Sequence, residues 1–450
     1  MNTQRRLRPR VRDTILQSLR AGVVPRMGQE HIQVGRAAEV EALVGDIGRI
    51  ADGGSSVRFV VGAYGSGKTF FLNLIRSIAH EKRLITLSAD LAPDRRLHAS
   101  GGQARSLYQE LTRNLATRSR PEGGAMPALV ERFVNEALKE AKATGASPRT
   151  ILQARLERLS EGVGGYDFAE VIGAYWRAHD TGDDSLKASA VRWLRGEFST
   201  KTEARAALGV RTIVDDASVY DHLKLLAHFS RLAGFAGLLV TLDEVVNLYK
   251  LGSGRARRSN YEQILRILND CLQGSVEGIG FVFGATPDLL YDTRRGLYSY
   301  EALQSRLAPN RFASELLVDL SSPVIPLENL TPEDLFVLIR KLAAIHAQGQ
   351  EERPPLGDAA LEAFLEHCAK RVGEAYFRTP RNTIKAFIDL LEVLRQNPGA
   401  RWEELLGRLE LAPEPEDLAI ADLERDGEAP EGSLQKETAE DDDELSSFRL

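Results

Sequence analysis

Gly62-Ala63-Tyr64-Gly65-Ser66-Gly67-Lys68-Thr69 places glycines, a lysine and a hydroxyl at the spacing G-x-x-x-x-G-K-[ST]. Glycines let backbone N–H groups turn inward around phosphate oxygens. A helix that starts where the loop ends adds its partial positive charge. Lys68 is then within reach of the β- and γ-phosphates of ATP, and the Thr69 hydroxyl becomes a ligand for Mg2+. The flanks agree with this: Val57–Val61 enters the loop as a short buried strand, and Leu72–Ile78 leaves it on a helix.

Leu238-Leu239-Val240-Thr241-Leu242-Asp243-Glu244 is a second apolar strand, and it ends in two acids. Asp243 is placed to hold the Mg2+ water shell and Glu244 to polarise an attacking water. The second acid favours hydrolysis over transfer to a small molecule, because water needs a base. Phe281-Val282-Phe283-Gly284-Ala285-Thr286-Pro287 ends a third strand on a polar residue. The Thr286 hydroxyl either senses the γ-phosphate or closes a strand-end turn. Arg294, Arg295, Arg306 and Arg311 follow. A guanidinium aimed at a neighbouring subunit's γ-phosphate would stabilise the charge of the transition state. Arg306 is the first candidate for such a finger and Arg311 the second; a surface salt bridge is the alternative for each. Arg381, in Arg378-Thr379-Pro380-Arg381-Asn382, opens a C-terminal helix from which it could reach the same nucleotide within one chain.

Other residues carry weaker signals. Arg255, Arg257 and Arg258 fall in a Gly-Ser-Gly loop after the acidic strand, either a contact for DNA phosphates or a solvated loop. Tyr166, Phe168, Tyr175 and Trp176 read as helix core rather than a base-stacking platform. Ser100-Gly101-Gly102-Gln103 imitates the signature of transporter-type ATPases, but it lies 140 residues before Asp243 instead of just upstream.

The elements that must position these groups form an α/β chain of 450 residues with 43% hydrophobic and 27% charged residues, long enough for two or three domains. No run of 18 apolar residues is present, and no apolar segment follows the N-terminal arginines, so neither a membrane span nor a secretory signal is expected. Two cysteines, Cys271 and Cys368, lie outside any Cys/His cluster and point to a reducing cytoplasm. Residues 1–26 read as a basic arm, Arg5 to Arg12, with a helix over 11–20. Residues 27–330 read as a three-layer core, with Leu84–Leu87 and Pro323–Leu327 as further buried strands, interrupted by a helical insertion at about 91–236. Residues 331–410 read as a helical lid that opens at the cap Thr331-Pro332-Glu333-Asp334. The last forty residues, 411–450, form an acidic tail expected to be disordered, with fourteen acids against Arg425, Lys436 and Arg449 from 413 onwards. The net charge of −6 therefore says nothing against nucleic-acid binding by the folded part.

Taken in order, these motifs resemble the AAA+ group of P-loop ATPases, especially its origin-recognition-like branch, over about 27–100 and 237–400. Val34-Gly35-Arg36, with Glu39 behind it, matches the string that sits beside the adenine in that group, so the resemblance implies nucleotide contacts for Gly35 and Arg36. A closer likeness is to the BrxD ATP-binding proteins of bacterial BREX phage-defence islands. It is carried by Phe59–Leu72, Gly237–Tyr249, and Gly296–Leu303 continuing through Arg306-Leu307. It implies an ATPase that acts beside a helicase and other defence proteins. The trans finger adds an expectation of self-association, and the reading of the whole chain is of nucleotide state coupled to DNA or to a DNA-bound partner. A nucleotide-dependent assembly switch and a helicase-loading adaptor are the alternatives.

Overall fold

Five short apolar runs form one parallel sheet in the computed structural model, which describes residues 7–312, 319–348, 356–372 and 380–407. The strands are β1 (Ser55–Val61), β2 (Leu84–Asp90), β3 (Gly237–Asp243), β4 (Ile279–Ala285) and β5 (Val324–Pro326), in the order β2-β3-β4-β1-β5. Each lies within a few residues of the run expected from the sequence. Parallel strands buried on both faces must be apolar nearly throughout, and β1, β3 and β4 are buried at every position. Register pairs Val61 with Ala285 and Asp90 with Asp243, so the C-terminal ends of β1, β4, β3 and β2 lie side by side. That edge is where ligands bind in open α/β sheets.

Two helical layers cover the sheet. On one face, Leu43, Ile47 and Ile50 of helix Ala37–Ala51 and Phe71, Leu72 and Ile75 of helix Lys68–Glu81 pack with Val60, Leu239, Val282 and Ile325. The other face meets the insertion. Residues 91–236 hold seven helices among the described residues, and their core is continuous with Phe59, Leu87, Val240, Phe281 and Phe283 of the sheet. Phe168 and Tyr175 lie in that core as expected, whereas Tyr166 is 64% exposed. The insertion also covers an edge: Thr86 of β2 exchanges backbone hydrogen bonds with Ala116 at 3.0 and 2.9 Å, which blunts an otherwise unpaired strand.

Three corrections concern the margins of the core. The N-terminal helix begins at Pro9 rather than 11, so Arg10 and Arg12 are helical. It packs on helices Pro332–Ala347 and Pro380–Gln396, with Arg12 donating to the Gln348 carbonyl and Arg20 pairing with Asp389 at 2.7 Å. Residues 9–20 thus join the C-terminal helical group, and Arg12 is bound to the fold rather than held out as part of an arm. Finally, helix Gly254–Leu272 starts at the Ser253 cap, so Arg255, Arg257 and Arg258 occupy its first turns and not a loop. Arg5, Arg6, Arg378 and the acidic tail 411–450 lie outside the described residues.

One charge interrupts the apolar run of β1. Arg58 is 5% exposed; its Nε and Nη2 donate to both carboxylate oxygens of Asp46, which is 3% exposed, and its Nη1 donates to the Leu320 carbonyl at 3.0 Å and to that of Ser322. This pair fastens helix Ala37–Ala51 and the approach to β5 to the strand that carries the phosphate loop. Removing one partner of a buried pair leaves the other uncompensated, at about 3–5 kcal/mol. Asp46→Ala should therefore lower unfolding stability by about that amount in chemical denaturation. A loss under about 1 kcal/mol would show that water or the 320–322 carbonyls suffice for Arg58.

Candidate active site

The loop between β1 and helix Lys68–Glu81 is shaped by its glycines. Gly65 and Gly67 adopt left-handed φ values of 77° and 84°, and a Cβ on Gly62 would lie 2.5 Å from Ser66 Oγ. The amides of Gly65, Gly67, Lys68 and Thr69 form no hydrogen bond among the described residues, and no side chain caps the helix at Gly67. Ser66 Oγ is buried without a partner among them as well. A row of unpaired donors at a helix N-terminus is the arrangement that accepts phosphate oxygens. Lys68 Nζ donates to the Gly62 and Ala63 carbonyls at 2.9 and 2.8 Å, so it lies across the loop mouth. Tyr64, at the tip, is 46% exposed.

Across the sheet edge, Thr69 Oγ1 donates to Asp243 Oδ2 at 2.6 Å, joining residues 174 positions apart. Asp243 Oδ1 accepts from the Glu244 amide at 2.9 Å. Glu244 has φ 51°, a left-handed conformation uncommon for a glutamate. This turns the chain off the end of β3, and Asn247 N secures the turn by donating to the Glu244 carbonyl at 3.0 Å. Burial and the nearby Asp243 carboxylate raise the Glu244 pKa above the usual range, while Lys68 opposes the shift. Burial lowers the Lys68 pKa, with Asp243 and Glu244 opposing in turn.

Sequence reasoning missed two residues here. Gly284 of β4 passes directly beneath Asp243: a Cβ there would sit 2.4 Å from Oδ1. Asp90, opposite Asp243 in register, is a third carboxylate on the same edge; burial and Asp243 raise its pKa. Its signal was present, since Leu84–Asp90 ends in an acid just as β3 does, but the strand was expected to stop at Leu87.

The remaining candidates are placed as follows. Arg36, itself left-handed at φ 59°, donates to the Ser66 carbonyl and, at 3.0 Å, to that of Glu328, so the Gly35-Arg36 turn lies against the phosphate loop. Burial lowers the Arg36 pKa, and Glu39 and Asp334 counter it. A Cβ on Gly35 would sit 2.8 Å from an Asp334 carboxylate oxygen, which brings the first turn of helix Pro332–Ala347 to the same place. Thr286 caps helix Pro287–Tyr291, its hydroxyl accepting from Leu289 N at 3.4 Å. It follows Ala285, whose carbonyl accepts from Gly62 N at 3.1 Å, so the cap adjoins the loop entrance. Arg306 forms no salt bridge among the described residues; its Nε donates to Asn269 Oδ1 at 2.6 Å and its Nη1 to the Ala302 carbonyl at 2.8 Å. Arg311 is exposed. Arg381 lays its aliphatic stem against Gly22, 3.5 Å from where a Cβ would be, and so meets the segment that follows the N-terminal helix.

The donor set fits a nucleotide with its cation. The unpaired loop amides suit phosphate, and a hydroxyl with a carboxylate suits Mg2+. No group of His, Cys, Asp and Glu among the described residues forms a separate metal cluster. A parallel α/β sheet with a glycine-rich loop running from β1 into a helix defines a P-loop NTPase-like fold. The chain belongs to the BREX system ATP-binding protein BrxC/D family, whose model matches residues 7–410. No curated protein matches the chain.

Two substitutions test the geometry. Lys68→Ala should remove a charge-assisted contact of about 1.5–3 kcal/mol and lower ATP affinity about tenfold or more in calorimetry. Unchanged affinity would dismiss the loop as a phosphate site. Gly284→Ala must push the Asp243 carboxylate aside. It should weaken Mg2+-dependent ATP binding with circular dichroism unaltered, and equal binding with and without Mg2+ in both proteins would count against Asp243 as the cation ligand.

Proposed function

We propose that the chain is an AAA+-type ATPase that hydrolyses ATP at the Lys68–Thr69–Asp243–Glu244 edge. On this reading it couples nucleotide state to DNA or to a DNA-bound partner in BREX defence. The observation that carries the proposal is the 2.6 Å bond between Thr69 Oγ1 and Asp243 Oδ2, beside the raised carboxyl of Glu244. Thr69 and Asp243 would hold Mg2+, which supplies charge neutralisation at the phosphates when bound. Lys68 would leave the Gly62 and Ala63 carbonyls for the β- and γ-phosphates. Glu244, turned off the strand by its left-handed backbone, would orient a water for in-line attack on the γ-phosphorus and take its proton. A carboxyl with a raised pKa is a better proton acceptor at neutral pH than an ordinary glutamate, provided it remains ionised. Thr286, at the adjoining strand end, retains a hydroxyl proton to donate to the γ-phosphate or the water.

Several features support the AAA+ assignment: a phosphate-loop strand inside the sheet, two strands between it and β2, and a helical group after β5 whose first turn meets Gly35. The reading includes self-association, because the cation that neutralises the leaving charge would come from a neighbour. Arg306 is the first candidate and Arg311 the second, with Arg381 acting within the chain. For Arg306 to act, its bonds to Asn269 and Ala302 must open, which makes the finger conditional on assembly. The helicase and other BREX proteins are the expected partners, in the cytoplasm. No helix of the described residues is long and apolar enough to cross a membrane.

Turnover tests this reading. Glu244→Gln should bind ATP and lose hydrolysis, and Arg306→Ala should bind ATP nearly normally and hydrolyse it about 10³-fold more slowly or worse. Mixing the two variants should restore activity, since one supplies Glu244 and the other Arg306 at a shared interface. Absence of recovery between folded, associating variants would move the finger to Arg311 or Arg381. Absence of wild-type turnover, with ATP-dependent assembly retained, would favour the switch.

A further inference from the structure

Two segments leave the nucleotide edge and meet again on the surface. One follows Glu244 and runs through Tyr249 into helix Gly254–Leu272; the other follows Thr286 and runs through helix Pro287–Tyr291 to Tyr300. Tyr249 holds them together: its hydroxyl donates to Asp292 Oδ2 at 2.8 Å, and its ring lies under Arg295, whose guanidinium carbon is 5.3 Å from the centroid. Tyr261 OH adds a bond to the Arg295 carbonyl at 2.8 Å, and Arg258 stands 5.4 Å above the Tyr300 ring.

The surface they form carries a net positive charge. Residues 249–258 contain Lys250, Arg255, Arg257 and Arg258 with no acid, and residues 287–300 contain Arg294 and Arg295 against Asp288 and Asp292. The Asp292 carboxylate is engaged by Tyr249 and by the amides of Arg294 and Arg295 at 2.6 and 3.1 Å. Glu262 approaches Arg258 at 3.6 Å, a pair with both partners more than half exposed. Arg255 and Arg294 are exposed and have no ion-pair partner among the described residues. Concentrating this much like charge costs free energy unless a polyanion is brought against it. Arginines stacked on tyrosine rings, with Tyr291 46% exposed at the margin, add aromatic faces to the charge.

We infer that this surface, built from residues 249–258 and 291–300, binds the phosphodiester backbone of nucleic acid. The inference rests on the proposed function for its coupling to ATP and deepens it by naming the surface. The spacing of cations along two segments suits a repeating anion better than a single phosphate, and no base-reading pocket is needed.

Fluorescence anisotropy of the full chain with labelled duplex and single-stranded oligonucleotides, titrated at several salt concentrations, tests the surface. Arg255→Glu combined with Arg294→Glu should lower affinity about tenfold or more. It should also flatten the logarithmic salt slope by about 1.8 on duplex or about 1.4 on single strand, and the relative affinity of the wild type for the two oligonucleotides tells the two sources apart. Neither side chain supports the fold, so ATP affinity should be unchanged. Equal affinity and slope in variant and wild type would overturn the inference. So would binding that disappears only when Arg5, Arg6 and Arg8 become alanine, which would assign it to the N-terminus. Failure of the wild type to bind either oligonucleotide would overturn it too, even with Asp441, Asp442, Asp443 and Glu444 changed to amides to relieve competition from the acidic tail. A Lys68→Ala protein that loses ATP yet keeps Arg255- and Arg294-dependent oligonucleotide binding would leave the surface standing while separating it from the nucleotide reading.

Discussion

The Asp243 carboxylate is the reference point for the whole edge of the sheet. One oxygen accepts the Thr69 hydroxyl and the other the Glu244 amide, so the phosphate-loop helix and the turn after β3 are both measured from it. It can lie there only because Gly284 has no side chain to displace it. The electrostatics are deliberately unbalanced. Asp90, Asp243 and Glu244 share one edge; burial first and the Asp243 carboxylate second raise the pKa values of Asp90 and Glu244, and Lys68 opposes the shift at Glu244. Such a cluster stores repulsion that an incoming cation relieves. On the proposed function, that repulsion would favour a nucleotide with its metal over a nucleotide alone.

What could be read in the sequence divides along the range of the interactions. The phosphate loop and the two acids of β3 were legible because their chemistry depends on neighbours one to eight residues away, and the five strands because burial on both faces demands apolar runs. Arg58 was hidden for the opposite reason. A lone charge in Val57–Val61 reads as a flaw in a buried strand until Asp46 and the carbonyls of Leu320 and Ser322 arrive, the latter more than 260 residues away. Gly284 was equally mute, since only the position of Asp243 shows why the strand needs a glycine. The N-terminal helix was found but its place was not, because Arg20 pairs with Asp389 across 369 positions.

The insertion changes what the core can transmit. Its helices do not close on themselves but finish one face of the sheet, and Tyr220 meets Phe281 of β4 with ring centroids 6.1 Å apart. Helix Val219–Leu232 leads directly into β3, the strand that ends at Asp243. Close-packed interiors yield little to local pressure, so a force on this layer is passed to the strands instead of being absorbed.

The same reasoning bears on the basic surface. Its two segments start at Glu244 and Thr286, the residues expected to meet the γ-phosphate and the water, and Tyr249 ties them together within six residues of Glu244. Burial and Asp243 raise the Glu244 pKa, and Lys250, after Lys68, opposes the rise only in small part. On the proposed function, a rearrangement of Glu244 or Thr286 between nucleotide states would be felt at Tyr249 and so at the spacing of cations across the surface. Coupling of this kind is reciprocal in free energy: whatever factor ATP applies to polyanion affinity, the polyanion applies to ATP affinity. If both ligands draw on the same two short segments, as proposed, no long path through the protein is required, and the turn at Glu244 is the element that would carry the exchange.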